Sequence, residues 1–167
     1  KARTGAYTGF EIQRGLKAET MLRWFDQAEE AWIARPELRA TVHFVRANLL
    51  SWLSRGAEAE AVITATPTAG FSPTDHCRLA YVRSTIKLWT LGDPAGAKQI
   101  LDDATPYAVT PEGRGWIDSL RATYCAVMAD PAAALAASEG MMLDQLPGIA
   151  APTGGWAITM AAGDCGR

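Results

Sequence analysis

Six basic side chains recur along this chain at a nearly constant interval. Arg46, Arg83 and Arg121 stand 37 and 38 residues apart, and seven residues before each lie Arg39, His76 and Arg114. Seven residues are two helical turns, about 10 Å at a rise of ~1.5 Å per residue, so on helices stacked side by side the six would form a two-by-three basic patch. Guanidinium forks so arranged hold carboxylates or phosphates by bidentate contacts, and the expected chemistry is capture of an acidic peptide or a small anionic effector. The competing reading is structural: the arginines flank a core, lay their stems over apolar neighbours and pair with acids at helix spacing. Glu37, Asp75 and Glu112, just ahead of the first basic position, complement a helix N-terminus.

The remaining reactive side chains do not assemble into a catalytic pattern. His43 and His76 are the two histidines, and neither has an acid and a nucleophile at triad spacing. In Asp75-His76-Cys77 the types are reactive, but neighbours on a helix point about 100° apart and cannot form a dyad with one another. Asp102-Asp103 lacks the third acid one turn on that a metal pair needs, and reads as the solvated end of a short helix; Glu58 and Glu60 read as an exposed flank. Cys77, Cys125 and Cys165 are odd in number, widely spaced and expected to be small buried hydrophobes rather than ligands or disulfide partners. No catalytic residue, metal or cofactor is expected.

Composition sets the class. Of 167 residues, 49% are hydrophobic and 20% charged, the formal net charge is -2, and 31 are alanine. Such a chain has enough apolar material for an ordered core and too little positive charge to coat nucleic acid, and the alanine bias favours helix over strand. No apolar run approaches the ~20 residues of a membrane span and no leader pattern is present, so a cytoplasmic setting without membrane contact is expected. A first residue that is Lys1 rather than Met suggests a fragment of something longer.

The elements that must carry the basic stripe announce themselves by repetition. Val42, Val45, Leu49 and Trp52 follow the 3-4-3 spacing of an amphipathic helix; Leu79, Val82, Ile86 and Trp89 repeat it, and so do Ile117, Leu120, Tyr124 and Val127. Each of these long helices should end at a tight turn: Arg55-Gly56-Ala57, Gly92-Asp93-Pro94 or Ala129-Asp130-Pro131. A shorter helix follows, over 57–66, 94–105 and 131–145, with Ala61, Ala97 and Ala134 at its close approach to the long one. Proline-bracketed loops, 67–73, 106–111 and 147–152, then close each unit, with Ser72 and Thr110 as caps of the next helix. The expected units are 20–36, 37–71, 72–109, 110–150 and a truncated 151–167, after a poorly defined segment 1–19. Trp52 and Trp89 are expected in the core, core packing is favoured for Trp24, Trp32, Trp116 and Trp156, and Phe71 and Tyr107 should plug the seams between units.

The junctions Leu91-Gly92-Asp93-Pro94-Ala95-Gly96-Ala97 and Met128-Ala129-Asp130-Pro131-Ala132-Ala133-Ala134 resemble those between the paired helices of tetratricopeptide-type repeats. The units exceed the 34 residues of that repeat, and its Trp-Leu-Gly-Tyr and Ala-Phe-Pro consensus is not reproduced. Degenerate repeats of this style, over about 20–167, resemble the central region of MalT-class, LuxR-type bacterial transcription regulators. That resemblance implies an all-α superhelix of about four hairpins, a non-catalytic segment that binds an effector or partner on its concave face, and flanking ATPase and helix-turn-helix domains. Neither a phosphate-binding G-x-x-x-x-G-K-[ST] loop nor a basic recognition helix occurs in this chain, so direct nucleic-acid contact is not expected of it. Two other readings stand beside this one: a free-standing repeat scaffold that binds a protein or peptide, and an all-helical enzyme. Open repeat ends leave room for a homo-oligomer.

Overall fold

Proline and a capping side chain together start four of the helices. The computed structural model describes residues 18–27, 31, 36–146 and 148–166, less the side chains of 36–39 and 143. Among the described residues it contains helices and no strand. These are α1 (Ala18–Gln27), α2 (Pro36–Trp52), α3 (Gly56–Thr64), α4 (Pro73–Thr85), α5 (Pro94–Ala104), α6 (Pro111–Val127), α7 (Pro131–Ala137) and α8 (Ala150–Asp164). Ser72 opens α4 with a reciprocal box, its Oγ accepting from Asp75 N at 3.2 Å while Asp75 Oδ2 accepts from Ser72 N at 3.0 Å. Asp93, Thr110 and Asp130 cap α5, α6 and α7 by accepting from Gly96 N, Gly113 N and Ala133 N. Each of those helices has proline in its first turn, where no backbone N–H is needed.

Long and short helices alternate as hairpins, α2 on α3, α4 on α5, α6 on α7, and successive long helices α2, α4, α6 and α8 pack in sequence. The hairpin turns share one device: Ser54, Gly92 and Ala129 each adopt a left-handed φ, of 59°, 62° and 59°. In the first and third turns a closing bond reaches five residues back, Arg55 N to Leu50 O and Asp130 N to Cys125 O; in the second, Asp93 N reaches six back to Lys87 O. The extra residue is absorbed by a π-helical turn, Ile86–Thr90, that continues α4.

The first three positions of the apolar stripe are buried or partly buried in each unit. Leu49, Val82, Ile86, Ile117 and Leu120 lie in the core, with Val45, Leu79 and Tyr124 packed partly against it. The fourth position does not follow them. Trp52 and Trp89 are 47% and 52% exposed and Val127 is exposed as well, which corrects the expectation that both tryptophans are core residues. They stand at the last turn of the long helix or its π continuation, next to the hairpin turn.

Other boundaries shift for local reasons. The first short helix begins at Gly56, so its buried face is Gly56, Ala59 and Ile63, and Ala61, expected at the close approach, points outward. Ala97 and Ala134 are fully buried as expected. The third short helix stops at Ala137, far short of 145, because Ser138 caps it and Gly140 turns at φ 78°. Cys77 is buried, but Cys125 is half-buried and Cys165 exposed, against the expectation for all three. Segment 1–17, Trp32 and the side chain of Arg39 lie outside the described residues.

Contacts also reach past nearest neighbours. Tyr81 of α4 shares a 2.8 Å hydrogen bond with Thr153 Oγ1 of α8 and meets the Trp116 ring of α6 edge-on at 4.9 Å. The close packing of α6 on α8 brings this about: a methyl group at Gly154 would lie 3.3 Å from Ser119 Cβ and 3.0 Å from Met141 Sδ. A linear stack, in which each unit touches only the next, has no such bond.

Candidate functional site

The basic stripe is engaged with acids at the seams between hairpins. Arg46 of α2 reaches Asp26 of α1 at 2.9 Å, and Arg83 of α4 binds Glu60 Oε1 of α3 through both Nε and a terminal nitrogen, at 2.9 and 2.8 Å. Arg121 of α6 donates to Thr105 Oγ1 at 2.8 Å and lies 3.6 Å from Asp102 of α5. In all three the partner comes from the helix just before the long one, so the pairing runs between helices rather than at spacing within one. Glu60 is correspondingly not an exposed flank: its side chain is 19% exposed and its Oε2 is buried without a hydrogen-bond partner.

The positions one heptad earlier go different ways. His76 is enclosed in an aromatic ladder, with Phe71 edge-on at 5.6 Å and Tyr107 stacked at 4.3 Å. Phe71 in turn meets Phe44 of α2 at 6.3 Å and so bridges the first two hairpins, whereas Tyr107 stacks on His76 of its own unit and stays 42% exposed. Arg114 is exposed on α6, and Arg39 belongs to α2. Arg46, Arg83, Arg121 and His76 are thus engaged with neighbouring side chains, while Arg114 is exposed.

Among the described residues, the reactive types are engaged as follows. Cys77 packs beneath Gly113, and burial, with the Asp118 carboxylate nearby, pushes its thiol up to about 11. Asp75 serves the Ser72 box, and His43 Nδ1 is bonded to Thr66 Oγ1 at 2.9 Å. Asp102 and Asp103 are held by Lys98 and Gln99 one turn earlier. Among the described residues no group of three or more His, Cys, Asp and Glu could hold a metal ion, and no helix is long and apolar enough to cross a membrane.

What the stripe lacks in open surface, the tryptophans supply. Trp52 at the end of α2 and Trp89 in the π turn line a groove of about 270 Å³ with Ser51, Ser54, Thr85 and Thr90. Ser51 and Thr90 hydrogen-bond to one another across the seam between the first two hairpins, and Thr85 Oγ1 donates to Tyr81 O. Nothing ionisable lines the groove. Trp156 of α8, 43% exposed, meets Trp89 edge-on at 6.2 Å and extends the aromatic surface toward the last helix. Exposed indoles with a rim of hydroxyls are the usual anchors of protein recognition. Periodicity hid them, because the stripe places all four apolar positions on one face. Comparison of the chain with protein-family models, with curated proteins and with solved structures finds no match.

Proposed function

We propose that this chain is a non-catalytic helical-repeat module, a strongly curved tetratricopeptide-like superhelix, that binds a segment of a partner protein along the groove formed by Trp52 and Trp89. The observation that carries the reading is the exposure of the fourth stripe position in each unit. Burying an indole stabilises by a few kcal/mol, so two of them left half in water at equivalent places mark a surface meant to be covered. The polar residues that might have served chemistry are occupied in seam pairs, caps and aromatic stacks, which favours recognition over catalysis. The resemblance to LuxR-type regulators adds a setting: a sensing or interaction segment in the bacterial cytoplasm.

Selection from a displayed random-peptide library tests this. The wild-type chain should enrich a sequence family that the double variant Trp52→Ala/Trp89→Ala does not, while the variant keeps the helical circular dichroism and a melting temperature within a few degrees of wild type. Equal enrichment by both proteins, or by neither, would remove the groove as the recognition surface.

A further inference from the structure

We infer that Gly56 is the positioning residue of the groove: because it carries no side chain, the π turn of the second hairpin closes against the first, and the two walls of the groove meet in one arrangement. This rests on the reading of the groove as a partner site and adds what sets its shape, and so its specificity.

The groove takes its walls from separate hairpins. Ser51, Trp52 and Ser54 come from the end of α2 and the turn after it, and Thr85, Trp89 and Thr90 from the end of α4 and the π turn. The hydrogen bond between Ser51 and Thr90 joins the two sets. Both α2 and α3 pack on the π turn as well as on α4. What the groove admits is therefore set by how the π turn sits on the first hairpin.

Gly56 controls that contact. It is the first residue of α3, it is buried, and its φ is not left-handed, so the backbone does not call for glycine. Alanine is the better helix former. The call comes from the neighbours: a methyl group at this place would lie 2.8 Å from Leu91 Cδ2 and 2.9 Å from Thr90 Cγ2, well inside the separation at which carbon atoms pack. Leu91 is 38% exposed and has room to turn aside. Thr90 is stiff at its branched carbon, and its other branch is the hydroxyl bonded to Ser51, so swinging its methyl away breaks the bond that joins the two walls. One turn further along α3, Glu60 is held by Arg83 of α4 through two hydrogen bonds. The displacement then falls on the turn end of the seam, where the groove lies.

Fluorine NMR of the chain labelled with 5-fluorotryptophan tests the inference, each resonance being assigned by a single Trp→Phe change. Gly56→Ala should move the Trp52 and Trp89 resonances and leave that of Trp116, in the core, where it was. In a relieved chain carrying Thr90→Ser and Leu91→Ala, which removes both carbon contacts and keeps the hydroxyl, the same change should move none of them. The peptide most enriched by wild type in display selection should bind Gly56→Ala about tenfold more weakly, a coupling ordinary for residues in contact, and should bind the relieved chain equally with or without Gly56→Ala. Unmoved Trp52 and Trp89 resonances, or the same response in the relieved chain, overturn the inference. If Gly56→Ala does not fold, the relieved chain decides: recovery of folding there supports the contact at Gly56 as the cause, and failure there overturns it. If the resonances respond as stated and no library peptide binds through the groove, the partner site falls and the positioning stands. If a peptide binds through the groove and ignores Gly56→Ala, the partner site stands and the role given to Gly56 falls.

Discussion

Arg83 shows how a residue can be read correctly in type and wrongly in direction. Its place in the repeat was plain from the 37-residue interval, and so were the alternatives of ligand contact and ion pairing. What a sequence does not carry is which neighbouring helix supplies the acid: Glu60 is 23 positions away, and only the turn at Ser54 and the loop before Ser72 bring it into reach. Both of Arg83's donors fall on one oxygen of Glu60, and the other oxygen is buried without a partner. Removing the guanidinium leaves a largely buried carboxylate unpaired, so Arg83→Gln should destabilise the chain by roughly 1–3 kcal/mol in urea unfolding. Adding Glu60→Gln should restore much of that loss. Were Arg83 reserved for a ligand, the single change would leave the unfolding midpoint where it was.

At the scale of the element, caps and periodicity were legible and helix ends were not. Ser72, Asp93, Thr110 and Asp130 cap helices because short polar side chains satisfy orphan N–H groups, a rule that needs no tertiary knowledge. The exposure of Trp52 and Trp89 was not legible, since the apolar spacing puts them on the same helix face as residues that lie in the core. The turns supply a test. Ala129 adopts the left-handed conformation that Gly92 adopts in the preceding unit, and a side chain with Cβ pays for that geometry. Ala129→Gly should therefore raise stability by about 0.5–1 kcal/mol, seen as a higher melting temperature. A lower melting temperature would show that Ala129 is unstrained.

Over the whole molecule, the long-range bond from Tyr81 to Thr153 ties the second hairpin to the last helix. The repeat interval foretold neighbours and could not foretell this contact, which arises because the small residues Ser119 and Gly154 let α6 and α8 approach closely. Tyr81 is 1% exposed, and burial pushes its hydroxyl up to about 12. Tyr81→Phe should cost about 1 kcal/mol, the net worth of an ordinary hydrogen bond, and amide exchange should quicken in α8 more than in α2. Uniform acceleration across all helices would mean that the bond tethers nothing in particular.

The wide turn at Ile86–Thr90 has a consequence for how such a module can be altered. A one-residue length change at that end of a hairpin is taken up as a loosened coil beside the rim of the groove, while Ile86 at its start stays in the core. Single insertions or deletions there would reshape the aromatic slot while the scaffold beneath keeps its fit, so specificity and stability can be tuned at separate places in the chain.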